Sequence, residues 1–540
     1  MIIHIYKKVN VDDIINRMIE VKNPVVLLIL DGWGHSTKTI GNAIHEARTP
    51  VFDMMVKNYP RILLQASGPV VGMSWDEPGN SEVGHITLGA GRIVRQYRAR
   101  IQATLKDGSF FSNKVLLNAF THAKQNNRPL HLLGLLTAGS VHADFEQLVA
   151  LIQIAHKQGF KDLILHMFSD GRDSGLKESI PLLKKLNDVI SKYGVGKIAT
   201  VIGRTFAMDR AKNWDRTQKA YDLMLSGKGE FTNHIQTTLT KYHNEGTYDE
   251  FMPALKLDEQ FSGIEPNDAL IFFNFREDSM RQIFRAFIEP NFKEFPQKDL
   301  SQAYICSMTE YLPDQRQPIV FDKPEIPNSL GEVLSEFGNT QLHLAETQKY
   351  AHVTYFLNGL HEEVFPGQEN VFIESYKDPK ANPEMKALEI AEHIQNALDQ
   401  RKYNFIVANI ANADVVAHTG DHSATLKGVT ATDKALGIIY NTAIHNGATL
   451  FVTSDHGNAE ELIYAGTGEP ESKHNKNPVP LIMIRREYAM NKTQDQISKE
   501  IRTIPGMLGD VAPTILATMG IAKPAEMMGT NLLPALGFNE

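Results

Sequence analysis

Aspartates and histidines in this sequence have the types and spacing needed to bind divalent metal ions. Asp414 and His418 are four residues apart, so both lie on one face if that segment is helical. Asp455 and His456 directly follow an apolar run and Ser454. Carboxylate and imidazole ligands without thiolates suit Mn²⁺, Mg²⁺ or Zn²⁺. The whole candidate set is too large for one tetrahedral ion and predicts two, although each member alone could be an ordinary polar residue: Asp31, Asp414, His418, Asp455, His456 and His474.

A serine between glycines is the candidate group to react at such a site. Ser81 stands in the string GNSEVGH and precedes a predicted helix, where a helix N-terminus would favour negative charge. A serine that merely caps the helix is the ordinary alternative. Paired metal ions stabilise the entering and leaving oxygens of a phosphoryl transfer, and a metal-bound hydroxyl ionises near neutral pH. Ser81 is therefore the predicted nucleophile.

A second group of residues is suited to binding an anionic substrate. Arginine presents a fork of donors that matches carboxylate and phosphate, although any single arginine is more often a surface residue. His142 and Asp173 are the candidates for exchanging protons with substrate hydroxyls. The candidate arginines are Arg172, Arg204, Arg210, Arg276 and Arg281.

Buried parallel strands are expected to position both groups, because polar residues repeatedly follow continuous apolar runs. Runs at 24–30, 404–410 and 448–453 lead to Asp31, Asp414 and Asp455. Runs at 130–136, 162–167, 197–202 and 268–273 lead instead to His142, the Arg172–Asp173 pair, Arg204 and Arg276. Helices are predicted near 382–402 and 424–446. In open α/β sheets, ligands bind at the carboxyl ends of the strands, so each group should converge.

This change of chemistry along the chain predicts two α/β domains, with the second inserted into the first. The predicted boundaries are an N-terminal extension at 1–23, a metal-binding domain formed by 24–95 and 325–540, and an inserted substrate domain at 96–324. A further amphipathic helix is predicted within 11–21.

Composition restricts the class of protein. The chain has 540 residues, of which 42% are hydrophobic, and 55 Lys+Arg against 63 Asp+Glu give a net charge of −8. This argues against general disorder and against a basic field that would recruit nucleic acid or a membrane surface. The single cysteine, Cys306, cannot form an intrachain disulfide, and no apolar run reaches the ~18 residues of a membrane helix. We expect a cytoplasmic monomer without nucleic-acid or membrane partners.

Nine strings in order carry a family resemblance that covers nearly the whole chain from Pro24 onward: LLILDGWG, GNSEVGHITLGAGRIV, SDGRDSG, GRTFAMDRAKNWDR, FFNFRED, KYAHVTYFLNG, NADVVAHTGD, TSDHGNAE and HNKNPVP. The chain resembles the cofactor-independent (2,3-bisphosphoglycerate-independent) phosphoglycerate mutases of the alkaline phosphatase superfamily. The resemblance implies a metal-bearing phosphatase domain with an inserted transferase domain. It also implies interconversion of 3-phosphoglycerate and 2-phosphoglycerate in glycolysis and gluconeogenesis through a phosphoserine.

The same resemblance implies a role for each matching residue. Ser81 would be phosphorylated, and Lys349 would lie near the transferred phosphate. One Mn²⁺ would be held by Asp31, Ser81, Asp455 and His456, and the other by Asp414, His418 and His474; Mg²⁺, Zn²⁺ or Co²⁺ are alternatives, and 2,3-bisphosphoglycerate is not needed. The implied substrate-binding residues are His142, Arg172, Asp173, Arg204, Arg210, Arg276 and Lys349, with Asp173 as first acid–base candidate and His142 as its helper.

One motif departs from the family pattern. The family usually reads F-R-P-D-R, whereas this chain has Phe275, Arg276, Glu277, Asp278 and Ser279. Ser279 replaces an arginine expected to contact phosphate, and losing such a charged contact costs ~1.5–3 kcal/mol if nothing replaces it. Arg281, two residues further on, is the candidate replacement. The alternatives are therefore a metal-dependent phosphatase or a mutase of another phosphorylated acid; a binding protein without activity would require a lost nucleophile or ligand.

Overall fold

A computed structural model describes residues 23–464 and 466–538 of the chain. The chain forms two compact units, one extending to Gln96 and resuming at Pro324–Glu540, the other comprising Tyr97–Lys323. Each unit contains a β-sheet with helices, so the predicted class of two α/β domains with one inserted is confirmed. The helix predicted within 11–21 and all but Asn23 of the predicted N-terminal extension lie outside the described residues.

The elements follow the apolar runs of the sequence, and each of the seven runs named above coincides with a strand to within two residues at either end. The strands are β1 (Val25–Leu30), β2 (Arg61–Gln65), β3 (Leu130–Leu136), β4 (Leu163–Ser169), β5 (Lys197–Gly203), β6 (Glu230–Phe231), β7 (Leu255–Lys256), β8 (Ala269–Phe272), β9 (Tyr304–Ser307), β10 (Gln341–Glu346), β11 (Gln368–Ile373), β12 (Phe405–Ile410), β13 (Thr449–Thr453), β14 (Val479–Ile484) and β15 (Gly506–Met507).

The α-helices are α1 (Ala43–Glu46), α2 (Pro50–Asn58), α3 (Ser81–Ala90), α4 (Tyr97–Asp107), α5 (Lys114–Asn126), α6 (Phe145–Lys157), α7 (Ser179–Tyr193), α8 (Arg204–Ala207), α9 (Trp214–Ser226), α10 (Ile235–Asn244), α11 (Arg281–Ile288), α12 (Leu330–Glu336), α13 (Ala387–Asp399), α14 (Asn412–Ala417), α15 (His422–Asn446), α16 (Gln494–Glu500) and α17 (Val511–Thr518). Short 3₁₀ turns occur at Gly68–Val71, Ser109–Ser112, Asp249–Phe251, Arg486–Tyr488 and Leu508–Asp510, and a π-helical turn at His352–Phe356.

The first unit is built on an eight-stranded sheet in the order β11-β10-β12-β1-β13-β14-β2-β15. The five strands from β11 to β13 run parallel, and β14 is antiparallel to both of its neighbours. Side chains of β1 alternate between two hydrophobic clusters: Val26 and Leu28 belong to one, Leu27 and Ile29 to the other. Both faces of the strand are therefore covered, which explains why its sequence is continuously apolar.

The second unit is built on a seven-stranded sheet in the order β6-β7-β5-β4-β3-β8-β9. Strands β5, β4, β3, β8 and β9 are parallel, and β7 pairs antiparallel with β5. A single large hydrophobic cluster packs around this sheet and includes Phe168, Phe272, Phe284 and the buried Cys306. Among the described residues of both units, no helix is long and apolar enough to cross a lipid bilayer.

Candidate active site

The carboxyl ends of three neighbouring strands bring predicted metal ligands of the first unit together. Strand β1 pairs in parallel with both β12 and β13, so the residues that follow these strands meet at one edge of the sheet. Asp31 follows β1, Asp414 lies in α14 after β12, and Asp455 comes two residues after β13. All three aspartates are buried. Ligand atoms of Asp31, Asp414 and His456 lie within 4.8 Å of one another.

Ser81 is the first residue of α3, and its hydroxyl lies inside this cluster. The helix is capped by Asn80, whose side chain accepts a hydrogen bond from the Val83 N–H at 3.0 Å. Ser81 Oγ donates instead to Asp31 Oδ1 at 3.2 Å and lies 3.0 Å from His456 Nε2. The interpretation of Ser81 as a helix cap is therefore wrong, and its hydroxyl faces the candidate metal ligands.

A glycine in the same motif allows α3 to approach the sheet closely. A Cβ atom on Gly84 would lie 2.6 Å from the carbonyl oxygen of Asp455, a separation that real Cβ atoms do not show. Ser81 lies one turn before Gly84 on the same helix. The absence of a side chain at Gly84 is thus a condition for bringing Ser81 to the Asp455 loop.

The ammonium group of Lys349 lies next to the Ser81 hydroxyl. Its Nζ donates to Ser81 Oγ at 2.6 Å, to Asp31 Oδ1 at 2.7 Å and to Asp414 Oδ2 at 2.7 Å. Burial lowers the pKa of this ammonium group, but the two carboxylates outweigh burial and raise the pKa above its ordinary value. Lys349 is therefore protonated. Its positive charge neutralises part of the charge of Asp31 and Asp414 and would also stabilise an anionic group bound at Ser81.

Two histidines point ring nitrogens at the Asp414 carboxylate in an arrangement that fits a cation. His418 Nδ1 faces the Ser472 carbonyl oxygen at 2.7 Å, and His474 Nδ1 faces the Gly79 carbonyl oxygen at 3.1 Å. Because a carbonyl oxygen can only accept, each neutral ring carries its hydrogen on Nδ1 and a lone pair on Nε2. The two Nε2 atoms are 2.9 Å apart and lie 3.3 and 3.2 Å from Asp414 Oδ1. Asp414 raises the pKa of His418. Burial and His456 lower the pKa of His474, so its Nε2 keeps a lone pair, and the donors of this corner fit a divalent metal ion.

A second cation-favouring corner surrounds His456 and Asp455. The His456 Nδ1 faces the Gly457 carbonyl oxygen at 3.3 Å, and its Nε2 lies 3.5 Å from Asp31 Oδ1. Burial lowers the pKa of His456, but Asp455 and Asp31 raise it to about 9. Asp455 Oδ2 is buried and accepts no hydrogen bond from the described part of the chain, with His85 Nδ1 3.3 Å away. An orphaned carboxylate oxygen beside a nitrogen ligand also fits a metal ion.

Side chains that the sequence reasoning missed hold these ligands in place. Asn409 Nδ2 donates to Asp31 Oδ2 at 2.7 Å, and Asn458 Nδ2 donates to Asp414 Oδ1 at 2.8 Å. The signal for Asn409 was available, because it is a polar residue inside the apolar run that forms β12. Asn458 belongs to the string TSDHGNAE, which also contains Asp455 and His456, so its place in this motif was a signal as well.

A buried carboxylate joins the loop after β1 to the loop after β13. Glu460 Oε2 accepts hydrogen bonds from the backbone N–H groups of Gly34 and Asn458, both at 2.9 Å. Its Oε1 accepts from Asn477 Nδ2 at 3.0 Å. These loops carry Asp31 and Asp455, so Glu460 fixes their spacing without touching either aspartate's carboxylate in the described contacts.

In the second unit, the predicted acid–base pair meets an arginine. Arg204 Nη1 donates to Asp173 Oδ2 at 2.7 Å and to Asp170 Oδ1 at 2.6 Å, and His142 Nε2 lies 3.7 Å from Asp173 Oδ2. Burial raises the pKa of Asp170, but hydrogen bonds from Thr137, the Asp173 N–H and Arg204 lower it overall. Asp170 begins the string DGRD but was not among the predicted site residues. It accepts hydrogen bonds from Arg204 and from the backbone of the loop that carries Asp173.

The remaining arginines separate into two groups. Arg210 and Arg276 converge on Asp278, with nitrogen–oxygen distances of 2.5 and 3.3 Å, and both are half-exposed. Arg172 points elsewhere: its side chain is 62% exposed and lies 3.7 Å from Glu250. The structure thus gathers two of the predicted arginines around one carboxylate and leaves Arg172 at the surface.

The residue that departs from the family pattern is buried. Ser279 is 1% exposed, and its Oγ lies 3.0 Å from His142 Nδ1. Arg281, the candidate replacement for the missing arginine, is exposed and lies 3.5 Å from Glu277. Its charged partner therefore lies four residues earlier in the chain, just before α11, and the polar contact to His142 comes from Ser279 itself.

The chain is similar to known proteins over nearly its whole length. Residues 101–313 match the family model described as BPG-independent PGAM N-terminus. The chain is 42% identical over 518 residues to the 2,3-bisphosphoglycerate-independent phosphoglycerate mutase of Clostridioides difficile (strain 630), covering 95% of this chain and 99% of that protein. It is also 42% identical over 523 residues to 2,3-bisphosphoglycerate-independent phosphoglycerate mutase 1 of Methanosarcina acetivorans, covering 96% and 99%.

A solved structure matches over a similar extent. Phosphoglycerate mutase from Leishmania mexicana, crystallised at low cobalt concentration, has a TM-score of 0.70 and 27% sequence identity to this chain. The match covers 94% of this chain and 97% of that one. The similarity in sequence and in structure therefore spans both units.

Proposed function

The chain belongs to the 2,3-bisphosphoglycerate-independent phosphoglycerate mutases, isomerases that interconvert 3-phosphoglycerate and 2-phosphoglycerate, and we propose that Ser81 carries the phosphoryl group between the two positions. One observation carries this proposal: Ser81 Oγ lies within hydrogen-bond distance of Lys349 Nζ, Asp31 Oδ1 and His456 Nε2. The hydroxyl thus has a cation to stabilise added phosphate and a carboxylate, Asp31, to accept its proton.

The first transfer exchanges one phosphorus–oxygen bond for another. Ser81 Oγ attacks the substrate phosphorus and loses its proton toward Asp31, while the bond from phosphorus to the glycerate oxygen breaks. The departing oxygen takes up a proton from Asp173, which leaves phosphoserine, glycerate and an ionised Asp173 that can accept the proton of the other hydroxyl in the second transfer. Lys349 offsets the negative charge that accumulates on the phosphoryl oxygens. Ser81 is only 7% exposed, and such burial slows attack by water on the phosphoserine.

The second transfer reverses these events at the other hydroxyl of glycerate. We assign Asp173 to exchange protons with the two hydroxyls, with His142 as helper and Arg204 holding the aspartate. Arg210, Arg276 and Arg172 are assigned to bind the substrate's anionic groups. Asp278 holds Arg210 and Arg276 close together, which supports their joint use; the exposed Arg172 would act from the surface of its loop.

Metal binding is part of the proposal. We propose two divalent ions, Mn²⁺ in the first instance with Mg²⁺, Zn²⁺ or Co²⁺ as alternatives. Asp31, Ser81, Asp455 and His456 would hold one ion, and Asp414, His418 and His474 the other. When bound, the ions would lower the pKa of the serine hydroxyl and neutralise phosphate charge.

We also propose that the protein acts as a cytoplasmic monomer without nucleic-acid or membrane partners. Light scattering of the purified chain tests whether it is a monomer.

Conversion of 3-phosphoglycerate tests the proposed route. The Mn²⁺-loaded chain should form 2-phosphoglycerate without added 2,3-bisphosphoglycerate, as followed by ³¹P NMR. Release of inorganic phosphate alone would contradict the transfer back to glycerate and would favour the phosphatase alternative raised by Ser279.

A further inference from the structure

Ser279 contacts the imidazole of His142 from the side opposite to Asp173. Its Oγ lies 3.0 Å from Nδ1, while Nε2 of the same ring lies 3.7 Å from Asp173 Oδ2. Both Ser279 and His142 are buried, with exposed fractions of 1% and 4%. The ring is therefore held between a hydroxyl and a carboxylate with little water around it.

The main chain fixes the same relationship. The Phe275 N–H donates to the carbonyl oxygen of His142 at 2.8 Å, which ties the histidine to the segment containing Ser279. The Ser279 N–H donates to Asp278 Oδ1 at 2.7 Å, and Asp278 in turn pairs with Arg210. The position of the serine hydroxyl is thus determined by the backbone and by the residues proposed to bind substrate.

The direction of the hydrogen bond follows from the carboxylate. Burial and the charge of Arg204 lower the pKa of His142 to about 4, so the ring is neutral at physiological pH and carries one N–H. Arg204 Nη1 donates to Asp173 Oδ2 at 2.7 Å, so the oxygen that faces the ring is a hydrogen-bond acceptor. The ring hydrogen is therefore favoured on Nε2, facing Asp173, and Nδ1 keeps a lone pair.

We propose that Ser279 is a positioning residue whose hydroxyl donates to His142 Nδ1 and holds the imidazole as its Nε2–H tautomer facing Asp173. This inference rests on the acid–base roles proposed above for Asp173 and His142. It gives the serine at this position a function of its own: it prepares the histidine to donate a hydrogen bond toward Asp173 and the substrate hydroxyls. An arginine contact to phosphate is not required for that function.

The tautomer can be observed directly by NMR. Full-length protein labelled with ¹⁵N-histidine in a deuterated background is loaded with diamagnetic Mg²⁺, and the His142 signals are assigned by their loss in His142→Gln. We expect protonated Nε2 and unprotonated Nδ1 in the wild type. A wild-type ring protonated at Nδ1 would overturn the proposal.

The Ser279→Thr and Ser279→Val variants form a matched pair, because both add bulk but only threonine keeps the hydroxyl. Thr should retain the Nε2–H tautomer, whereas Val should give mixed tautomers and a kcat roughly tenfold lower than Thr, with a smaller change in KM. Equal tautomers and equal kcat in the two variants would overturn the proposal. A His142→Gln variant with undiminished kcat would instead overturn the acid–base role of His142 while the NMR result for Ser279 stands.

Discussion

The ammonium nitrogen of Lys349 lies 2.6 Å from the hydroxyl oxygen of Ser81. The same nitrogen is 2.7 Å from a carboxylate oxygen of Asp31 and 2.7 Å from one of Asp414. These carboxylates belong to strand ends that are separated in sequence by almost 400 residues. One buried cation thus links the proposed nucleophile to residues of both proposed metal sites.

Replacing Lys349 by methionine should lower kcat by about 10²–10³-fold, because the transferring phosphoryl group loses its fixed positive donor. The unloaded variant should also unfold at a lower temperature, since two buried carboxylates lose their counter-charge. Added Mn²⁺ should recover more thermal stability in Lys349→Met than in the wild type. Steady-state kinetics and thermal melts with and without metal measure both effects.

The matched control is Lys402→Met, which removes an exposed partner of Glu369. Equal kcat in Lys349→Met and this control would exclude the role of Lys349 in the transfer.

Replacing Ser81 by alanine should abolish turnover while the fold is retained, because the lost hydroxyl is small and Asn80 still caps α3. Brief incubation with phosphoglycerate carrying ³²P should label the wild-type chain and leave Ser81→Ala unlabelled. Ser423→Ala, at an exposed position in the first turn of α15, should behave like the wild type. Persisting activity of Ser81→Ala would rule out the phosphoserine route.

Chelation should remove activity and Mn²⁺ should restore it. After dialysis against EDTA the chain should be inactive, and metal analysis after reloading should give two ions per chain. The His418→Ala/His474→Ala double variant should retain one ion, because it removes the two nitrogens that face Asp414. Added 2,3-bisphosphoglycerate should have no effect on any of these samples. A stoichiometry of one ion in the wild type would refute the two-site assignment.

The sequence predicted the positions of the candidate metal ligands better than those of the residues that contact them. Apolar runs ending in polar residues located Asp31, Asp414 and Asp455, since parallel strands deliver such residues to one edge. Ser81 and the histidines were identified by type and motif. Asn409 stands out as a polar residue in an apolar run, but its contact with Asp31 could not be predicted. That contact, like the contacts of Glu460, joins segments distant in the chain and is set by packing. Burial of Ser279 against His142 was equally inaccessible to sequence reasoning.

Glu460→Ala should destabilise the protein and weaken metal binding, because the buried N–H groups of Gly34 and Asn458 would lose their acceptor. Each unsatisfied donor costs ~1–3 kcal/mol. Glu460→Gln keeps one oxygen for these donors and should be milder in both respects. Thermal melts and calorimetric titration with Mn²⁺ measure the two effects. The neighbouring Glu461→Ala, which removes a surface ion pair with Lys38, is the control. A Glu460→Ala variant as stable as this control would contradict the proposal that Glu460 holds the two loops together.

His142 should make the protein less stable as the pH falls from 7 to 5. The pKa of His142 is about 4 in the folded chain, because burial and Arg204 disfavour the charged ring, and ~6.5 in an unfolded chain. Between these values the unfolded chain binds a proton that the folded chain does not, so acidification favours unfolding. From pH 6.5 to 5 this amounts to about 2 kcal/mol at most.

The His142→Gln variant should lack this contribution, so its melting temperature should fall by several degrees less than that of the wild type between pH 7 and 5. Both proteins are compared after EDTA treatment, so that metal release does not contribute and titration of the other histidines cancels in the difference. His156→Gln, at an exposed position of α6, should retain the full pH dependence of the wild type. If His142→Gln keeps the pH dependence of the wild type, the folded chain protonates His142 as readily as the unfolded chain does. That result would exclude the neutral ring that the Ser279 hydrogen bond requires.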